Sequence, residues 1–358
     1  MYVKSLDLLD FRNYEKASLS FSPGINIFYG ANAQGKTNIL EAVYMAGTSR
    51  SHRGARDKDM IRIGAEESHI RMHVDKKGND YRIDMHLKKS RAKGIAVGGV
   101  PIRRAAELFG IVNMIFFSPE DLNIIKNGPA ERRRFIDIVL SGIDSIYLND
   151  LMQYSRCLTQ RNKLLHDLYA DPSLIRELSV WDDMLVSFGA KIIKKRAEFI
   201  SELAGIVAEN HRSLTGGAEE INVSYEPNTA ADVFYDALSS ARDVDRKMKT
   251  TTKGPHRDDI SLKIGDMDIR TFGSQGQQRT AALSLKLSEI TVMEKKIKDR
   301  PVLLLDDVLS ELDRDRQNFL LSSIKDIQTM ITCTGLDEFV RNNFHADSVF
   351  HVVRGGIE

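Results

Sequence analysis

The sequence predicts an α/β protein in which a mixed sheet flanked by helices is interrupted by a second, mainly helical lobe. An apolar run that ends at Phe28 is followed by a glycine-rich stretch and then by apolar residues at helical spacing, which is the order strand, loop, helix. A second apolar run, 302–305, ends in two aspartates far along the chain. Between the two runs, residues 131–212 have mostly helical periodicity, with one break at 170–173. The sheet is therefore expected to take strands from both ends of the chain.

The composition is typical of a globular protein. At 358 residues, 42% of them hydrophobic and 28% charged, the chain is long enough for two domains with separate cores. No apolar run approaches the ~18 residues of a membrane helix, the polar N-terminus does not resemble a signal peptide, and the two cysteines lie far apart. We therefore expect a cytoplasmic protein without a membrane partner.

The charge balance alone does not decide for or against nucleic acid. The net charge is only +1, so the chain as a whole provides no attraction for a polyanion. Basic residues are nevertheless concentrated in four short clusters: 49–58, 88–93, 131–135 and 191–196. A solvated surface is the usual explanation of such a cluster, and nucleic-acid binding is the alternative.

The stretch FYGANAQGKTNIL, residues 28–40, fits the phosphate-binding pattern G-x-x-x-x-G-K-[ST]. Gly30 and Gly35 allow the loop to turn its amides inward, and the following helix directs its positive end at the same place. Lys36 would supply the charge for the outer phosphates, and the hydroxyl of Thr37 would bind Mg²⁺. An ordinary strand–turn–helix connection is the alternative, but the flanking patterns favour a nucleotide site. The expected binding residues are Gly30, Ala31, Asn32, Ala33, Gln34, Gly35, Lys36 and Thr37.

The apolar run 302–305 continues into Asp306 and Asp307, which is the pattern of a buried parallel strand with an acidic end. In α/β sheets, ligands bind at the carboxyl ends of the strands, where these carboxylates would emerge. We expect Asp306 to bind Mg²⁺ and Asp307 to orient the attacking water. Asp307 and Lys36 are therefore the predicted catalytic residues. The alternative is a strand that ends in a solvated acidic turn.

The two halves of this predicted nucleotide site are far apart in the chain. Lys36 and Asp306 stand 270 residues apart, which is too many for one compact α/β unit. We therefore expect a split head made of 1–115 and 259–358, with a helical lobe or arm, 116–258, inserted between its halves.

Two further patterns predict secondary structure within the head and the inserted lobe. Apolar residues from Trp181 to Ile206, three to four apart except for one longer gap, predict a long helix, which would measure about 45 Å if it is unbroken over about 30 residues. Alternation of apolar and polar residues predicts one hairpin over 67–87 and another over 259–272, around Gly265 and Asp266. A helix is expected near 230–249.

A third motif, Ser274-Gln275-Gly276-Gln277, stands directly before a helical pattern. Ser274 can cap that helix, and Gly276 allows a phosphate to come close. Taken alone, a capped helix is an equally good interpretation. The motif precedes the acidic strand by about 30 residues, which is the order of the signature motif in ABC-type ATPases. There, the signature of one subunit closes on the γ-phosphate that the other subunit holds, so Ser274, Gly276 and Gln277 are candidate nucleotide ligands.

Six stretches of the chain are more specific than these general motifs. They are LDFRNY (9–14), GANAQGKTN (30–38), SPEDLNIIKNGPAERRRFID (118–137), KGPHRDD (253–259), FGSQGQQR (272–279) and LLLDDVLSELDRDRQNFL (303–320). Together they resemble the RecF family of bacterial DNA repair and recombination ATPases, and the resemblance covers essentially the whole chain. One departure is Asn127, where the family usually has glycine; both residues tolerate left-handed backbone.

The resemblance implies an ABC-type ATPase head, ATP and Mg²⁺ as cofactors, and an ATP-dependent homodimer. It also implies binding of double-stranded DNA near single-stranded gaps and at single-strand/double-strand junctions. The implied partners are RecR with RecO, and RecA indirectly, in the bacterial cytoplasm at the nucleoid. Arg12 is expected to reach the nucleotide, as the equivalent arginine does in relatives, and an exposed arginine in a turn is the alternative. Asp307 replaces a usual glutamate of the wider superfamily and Thr334 a frequent switch histidine, so we expect slow ATP hydrolysis. The family resemblance implies that DNA stimulates it.

Other interpretations remain open at this point. An ABC-type nucleotide-binding subunit could couple ATP to a membrane or other non-DNA partner, and a chromosome clamp would need far longer coiled-coil arms. Stimulation of ATP turnover by DNA would separate the first of these from a DNA repair ATPase. His256, Asp258 and Asp259 could be taken for a metal triad, but consecutive residues of a Gly-Pro loop rarely converge, and the resemblance indicates a structural junction between arm and head.

Overall fold

A computed structural model describes residues 1–103, 105–108, 110–168, 171–335 and 346–357. The chain forms two structural units, which we call the head (Met1–Asp121 and Glu289–Glu358) and the lobe (Leu122–Ser288). The sequence places these borders at 115/116 and 258/259. The second border differs because the strand that follows residue 258 pairs with another strand of the lobe.

The elements, in chain order, are as follows. The strands are β1 (Tyr2–Phe11), β2 (Tyr14–Ser20), β3 (Ile25–Tyr29), β4 (Glu67–Lys76), β5 (Asn79–Lys88), β6 (Gly94–Val97), β7 (Val100–Pro101), β8 (Met114–Phe117), β9 (Ile221–Glu226), β10 (Asp259–Ile264), β11 (Met267–Asp268), β12 (Val302–Asp306), β13 (Thr329–Cys333), β14 (Ser348–Val353) and β15 (Gly356–Ile357). The α-helices are α1 (Lys36–Thr48), α2 (Asn123–Lys126), α3 (Pro129–Ile143), α4 (Ser145–Asp167), α5 (Ile175–Leu214), α6 (Phe234–Ser240), α7 (Arg242–Met248), α8 (Ile269–Phe272), α9 (Gln275–Ile297) and α10 (Arg314–Ser323). Short 3₁₀ helices cover Asp57–Met60, Ala105–Leu108, Pro119–Leu122, Pro172–Leu174, Pro255–Arg257 and Leu309–Glu311.

The first sheet of the head is antiparallel and has the strand order β2-β1-β4-β5-β6-β7. The predicted hairpin over 67–87 is confirmed as β4 and β5. Along β4, apolar side chains such as Ile70 and Met72 are buried, and the alternating residues face away from the core, because successive side chains of a strand point to opposite faces. One face of this sheet is therefore covered and the other is polar.

The second sheet of the head has the order β15-β14-β3-β13-β12-β8, and the five strands from β14 to β8 are parallel. β12 is buried over its whole length, which confirms the predicted buried parallel strand. Helix α1 is also buried along most of its length and packs against strands of both sheets, so the two sheets and this helix share one core. Parallel pairing brings the carboxyl ends of β3, β13 and β12 to the same edge.

The lobe is mainly helical. Helices α4 and α5 pack against each other, and the 40 residues of α5 correspond to about 60 Å, longer than the predicted 45 Å. Of the predicted break at 170–173, residue 170 lies outside the described residues. The predicted second hairpin is present as β10 and β11, but β11 has only two residues because the Asp268 side chain caps helix α8 at the Thr271 amide, 2.8 Å away.

Two buried arginines connect elements of the lobe. Arg161 donates to Asp182 at 2.6 Å and to Asp245 at 2.7 Å, and all three side chains are at most 1% exposed. Arg196 of α5 donates to Asp258 at 2.9 Å, within the stretch KGPHRDD. Charged hydrogen bonds to buried arginines therefore explain the role of this stretch within the lobe.

None of the helices in the described parts of the chain combines the length and the apolar character that a membrane crossing needs.

Candidate nucleotide site

The glycine-rich loop runs from the end of β3 to the start of α1, as the sequence predicts. Gly30 has φ 150° and Gly35 has φ 118°, backbone that L side chains rarely adopt. A Cβ at Gly30 would lie 2.3 Å from the carbonyl oxygen of Val352, and one at Gly35 would lie 2.5 Å from Nδ2 of Asn13. Both glycines are required because the loop passes close to neighbouring chain segments.

Lys36 is held inside this loop. Its ammonium donates to the carbonyl oxygens of Gly30 at 2.7 Å and Ala31 at 2.9 Å, and the residue is only 8% exposed. The loop therefore curls around the positive charge, and helix α1 adds the partial positive charge of its N-terminus at the same place. This arrangement favours an anion with several oxygens, such as a polyphosphate.

The two halves of the predicted site meet at Thr37 and Asp306. The hydroxyl of Thr37 donates to Oδ1 of Asp306 at 2.6 Å, across 269 residues of chain. Thr332, on the strand between β3 and β12, donates to the same oxygen at 2.8 Å. A carboxylate and a hydroxyl in contact are hard oxygen donors of the kind that Mg²⁺ binds, so the two residues fit the predicted metal site. Arg53 lies nearby, with Nη2 3.7 Å from the second oxygen of Asp306.

Asp307 follows directly and has an unusual backbone. Its φ of 52° is left-handed, a region in which aspartate and asparagine are more common than other side chains. The turn is fixed by two bonds, from its amide to the Thr332 hydroxyl at 2.9 Å and from the Ser310 hydroxyl to its carbonyl oxygen at 2.7 Å. Strained backbone of this kind is concentrated at functional sites. The geometry places Asp307 next to Asp306 and leaves its catalytic role a prediction.

Arg12 is placed beside helix α1. Its guanidinium pairs with the buried Glu41 at 2.9 and 3.0 Å and also donates to the carbonyl oxygen of Asp59 at 2.9 Å. Glu41 lies one turn beyond Thr37 on the same helix. The structure thus places Arg12 near the helix that carries the phosphate loop, and its contact with nucleotide stays a prediction.

Sequence reasoning missed the segments that hold the loop from outside. In the turn after β1, Asn13 donates to the carbonyl oxygen of Gln34 at 2.9 Å and Tyr14 donates to that of Gly35 at 3.1 Å. At the other end of the chain, the Arg354 amide donates to the Gln34 side chain at 2.6 Å. Asn13 and Tyr14 belong to LDFRNY, one of the stretches that resemble the RecF family, but no local pattern in the sequence points from Arg354 to the loop.

The predicted signature residues lie in the lobe, at the start of α9. The Ser274 amide donates to the Gln277 side chain at 2.8 Å, and the Gln277 amide donates to the Ser274 hydroxyl at 3.2 Å. This reciprocal pair is a capping box, so the predicted cap is confirmed. Ser274 and Gly276 are exposed, and the nearest atom to a Cβ at Gly276 would be the Ser274 hydroxyl oxygen, 3.9 Å away. The N-terminus of a 23-residue helix is therefore presented at the surface of the lobe.

A parallel sheet with a phosphate-loop strand, a core helix shared with an antiparallel sheet, and an acidic strand end define the head of an ABC-type ATPase. The fold agrees with that of the SMC head bound to the C-winged helix domain of ScpA, with a TM-score of 0.59 at 16% identity, 100% coverage of this chain and 96% of that one. The predicted fold class is thus confirmed.

Closer similarity narrows the class to one family. The family model described as RecF/RecN/SMC N terminal domain matches residues 2–355. The chain is 58% identical to the DNA replication and repair protein RecF of Agathobacter rectalis over 358 residues, which cover 100% of this chain and 99% of that one. It is also similar to a solved structure of the recombination mediator protein RecF with ATP in the RecFOR pathway, with a TM-score of 0.93, 33% identity, and coverage of 100% and 97%. The chain belongs to the RecF family, as its sequence motifs indicate.

Proposed function

We propose that the chain binds ATP and Mg²⁺ at the loop 30–37 and uses hydrolysis to control a DNA-binding dimer in replication and repair. The hydrogen bond between Thr37 and Asp306 carries this proposal. It joins the phosphate loop to the end of the acidic strand at 2.6 Å, although the residues of the lobe separate the two in the sequence. The similar RecF protein solved with ATP supports the choice of nucleotide.

The residues divide the chemistry between them. The amides of the loop and the ammonium of Lys36 bind the phosphates and offset their charge. Thr37 and Asp306 would hold Mg²⁺, and the bound ion would neutralise charge that develops on the phosphoryl oxygens. Asp307 orients the attacking water. Its side chain has one methylene less than glutamate, and this shorter reach supports slow turnover.

The dimer rests on α9. Ser274, Gly276 and Gln277 open this helix at the surface, where its positive N-terminal end suits the γ-phosphate of a nucleotide bound to a second copy of the chain. ATP held by both copies then links two heads, and hydrolysis releases them. Turnover thereby limits the lifetime of the complex on DNA.

Exposed basic residues of the head support DNA as the ligand. Lys93 donates to the Ser49 carbonyl oxygen at 2.5 Å and pairs with Asp57 at 2.9 Å, so the clusters 49–58 and 88–93 adjoin. The exposed residues of this surface include Arg50, Arg56, Lys58, Lys89 and Arg91. By contrast, the lobe clusters contain Arg132 and Arg196, which are buried in ion pairs and serve the fold.

The similarity to a DNA replication and repair protein RecF, and to a RecF protein solved in the RecFOR pathway, supports a role in DNA repair. The substrate that we propose is double-stranded DNA near single-stranded gaps. RecO and RecR act with the protein there and help RecA to load, and DNA stimulates the slow ATPase. An ABC-type subunit that couples ATP to a non-DNA partner is the rival, and it predicts turnover that does not respond to DNA.

Sedimentation with and without ATP tests the shared-site mechanism. Wild-type protein should be largely monomeric without nucleotide and dimeric with ATP, and Asp307→Asn should accumulate the dimer. Ser274→Arg should still bind ATP, because the loop 30–37 is intact, but should lose dimerisation and ATP-dependent DNA retention together. A wild-type monomer at saturating ATP, or a Ser274→Arg dimer, would refute the mechanism. Phosphate release, measured on the same samples with and without gapped DNA, distinguishes the proposed function from the rival, whose turnover should not respond to DNA.

A further inference from the structure

The polar face of the first head sheet carries a pair of histidines on adjacent strands. His69 of β4 and His86 of β5 are directly opposite each other in the register. Their rings stack, with centroids 3.9 Å apart and an interplanar angle of 24°. Glu67, two residues before His69 and on the same face, approaches both rings: Oε1 lies 3.8 Å from Nε2 of His69, and Oε2 lies 3.0 Å from Nε2 of His86.

We propose that Glu67, His69 and His86 form a binding site for one divalent transition-metal ion of the Zn²⁺ type. Each residue offers one ligand atom, and these atoms all lie within 4.8 Å of one another. Two ligand atoms that are each about 2.1 Å from one ion are at most about 4.2 Å apart. Each ring nitrogen is within that limit of one oxygen of Glu67, that of His69 of Oε1 and that of His86 of Oε2. Because a metal lies in the plane of each imidazole that binds it, the two rings must rotate out of their stack to direct both nitrogens at one ion.

The chemistry of the ligands selects the ion. Two imidazole nitrogens and one carboxylate oxygen suit Zn²⁺, Ni²⁺ or Cu²⁺, whereas Mg²⁺ prefers oxygen ligands. The ion would therefore differ from the one that Thr37 and Asp306 suit. The three side chains are one-third to one-half exposed, which leaves a position for water on the bound ion.

The sheet makes the site rigid before any ion binds. β4 pairs with β5 along its whole length and with β1 on its other side, so the backbone positions of the ligands are fixed. Burial, followed by the nearby His86, lowers the pKa of His69.

Lys88 competes with the ion. Its ammonium lies 3.0 Å from Oε2 of Glu67, and bonds from Lys88 and then His86 lower the pKa of this glutamate to about 2. A bound cation would have to displace the ammonium from the carboxylate. This competition gives the proposal a variant that should improve binding, which a merely structural role of the histidines does not predict.

Isothermal titration of full-length, nucleotide-free protein with ZnCl₂ tests the site, and Co²⁺ absorption reports the ligands. Wild type should bind one ion at this site. Loss of a direct ligand in His69→Ala, His86→Ala or Glu67→Gln should weaken binding by at least about tenfold, since even indirect ligand contacts have effects of 10- to 100-fold. Lys88→Gln should tighten it.

His73→Ala is the matched control, because His73 is on the same strand and face but outside the cluster. Its affinity should equal that of wild type. Equal binding by wild type, His69→Ala and His86→Ala would overturn the proposal, as would weaker binding by Lys88→Gln. Circular dichroism identifies any variant that fails to fold, and the remaining two ligand variants then decide.

Discussion

Asp306 and Asp307 are adjacent in the chain, yet the proposed mechanism gives them different tasks that substitution to asparagine can separate. Asp306 accepts hydroxyl bonds from Thr37 and Thr332 on one oxygen, and asparagine keeps an oxygen for these bonds while losing the charge. Asp307 has a φ of 52°, which asparagine tolerates, whereas an alanine there would cost about 1 kcal/mol or more. Both asparagine variants should therefore fold.

The expected magnitudes differ in kind. A positioned acid or base contributes about 10²–10⁴-fold, so Asp307→Asn should lower kcat by that factor, or about 3–5 kcal/mol of activation free energy, with ATP affinity retained. Asp306→Asn should instead raise the Mg²⁺ concentration needed for half-maximal nucleotide binding by at least about tenfold.

Titration of Mg²⁺ against both variants, with fluorescent-nucleotide binding and phosphate release measured on the same samples, tests the division. Wild type provides the reference for both readouts. If Asp307→Asn shifts the Mg²⁺ dependence and Asp306→Asn lowers only kcat, the two roles are reversed. If neither variant changes either readout, the acidic strand is not part of the site.

Two further predictions concern Lys36 and His256. Lys36→Ala removes the ammonium that the loop encloses, so ATP affinity should fall by at least about tenfold. Lys36→Arg keeps the charge in a different place, so this variant should bind ATP but hydrolyse it slowly. Unchanged hydrolysis by Lys36→Ala in a phosphate-release assay would contradict the nucleotide assignment. Burial lowers the pKa of His256 from 6.5 to about 4, so the unfolded chain takes up a proton first and stability falls as the pH drops from 6.5 to 4, by up to about 3 kcal/mol. Urea unfolding over this pH range should show a smaller loss of stability for His256→Gln than for wild type. An equal loss in both proteins would refute the role of His256 in this pH dependence.

Patterns that are local in sequence predicted most of the local geometry of the candidate site. Glycine spacing indicated the phosphate loop, and the apolar run before Asp306 indicated the buried strand, because each pattern reports its own backbone and burial. The order of the strands was not predictable in this way. Thr332 contacts Asp306 only because β13 lies between β3 and β12, and this order follows from tertiary pairing.

Two predicted elements are interrupted in the structure, and a side-chain cap accounts for the first interruption. The second hairpin strand was predicted to continue through 272, but Asp268 accepts a bond from the Thr271 amide and starts a helix instead. The helix predicted near 230–249 is two helices, α6 and α7, that meet at Ala241. Apolar periodicity alone does not detect these interruptions, since it continues across them.

The sheet order has a consequence for how the nucleotide site forms. β3, which carries the phosphate loop, lies between β13 and β14, and both of these strands follow the lobe in the chain. The Gln34 side chain of the loop is held by the amide of Arg354, 320 residues later. Closing contacts over such distances costs loop entropy, so we expect them to form late in folding. The loop sequence alone, although it fits the phosphate-binding pattern, therefore does not make the site: its geometry depends on residues next to the C-terminus.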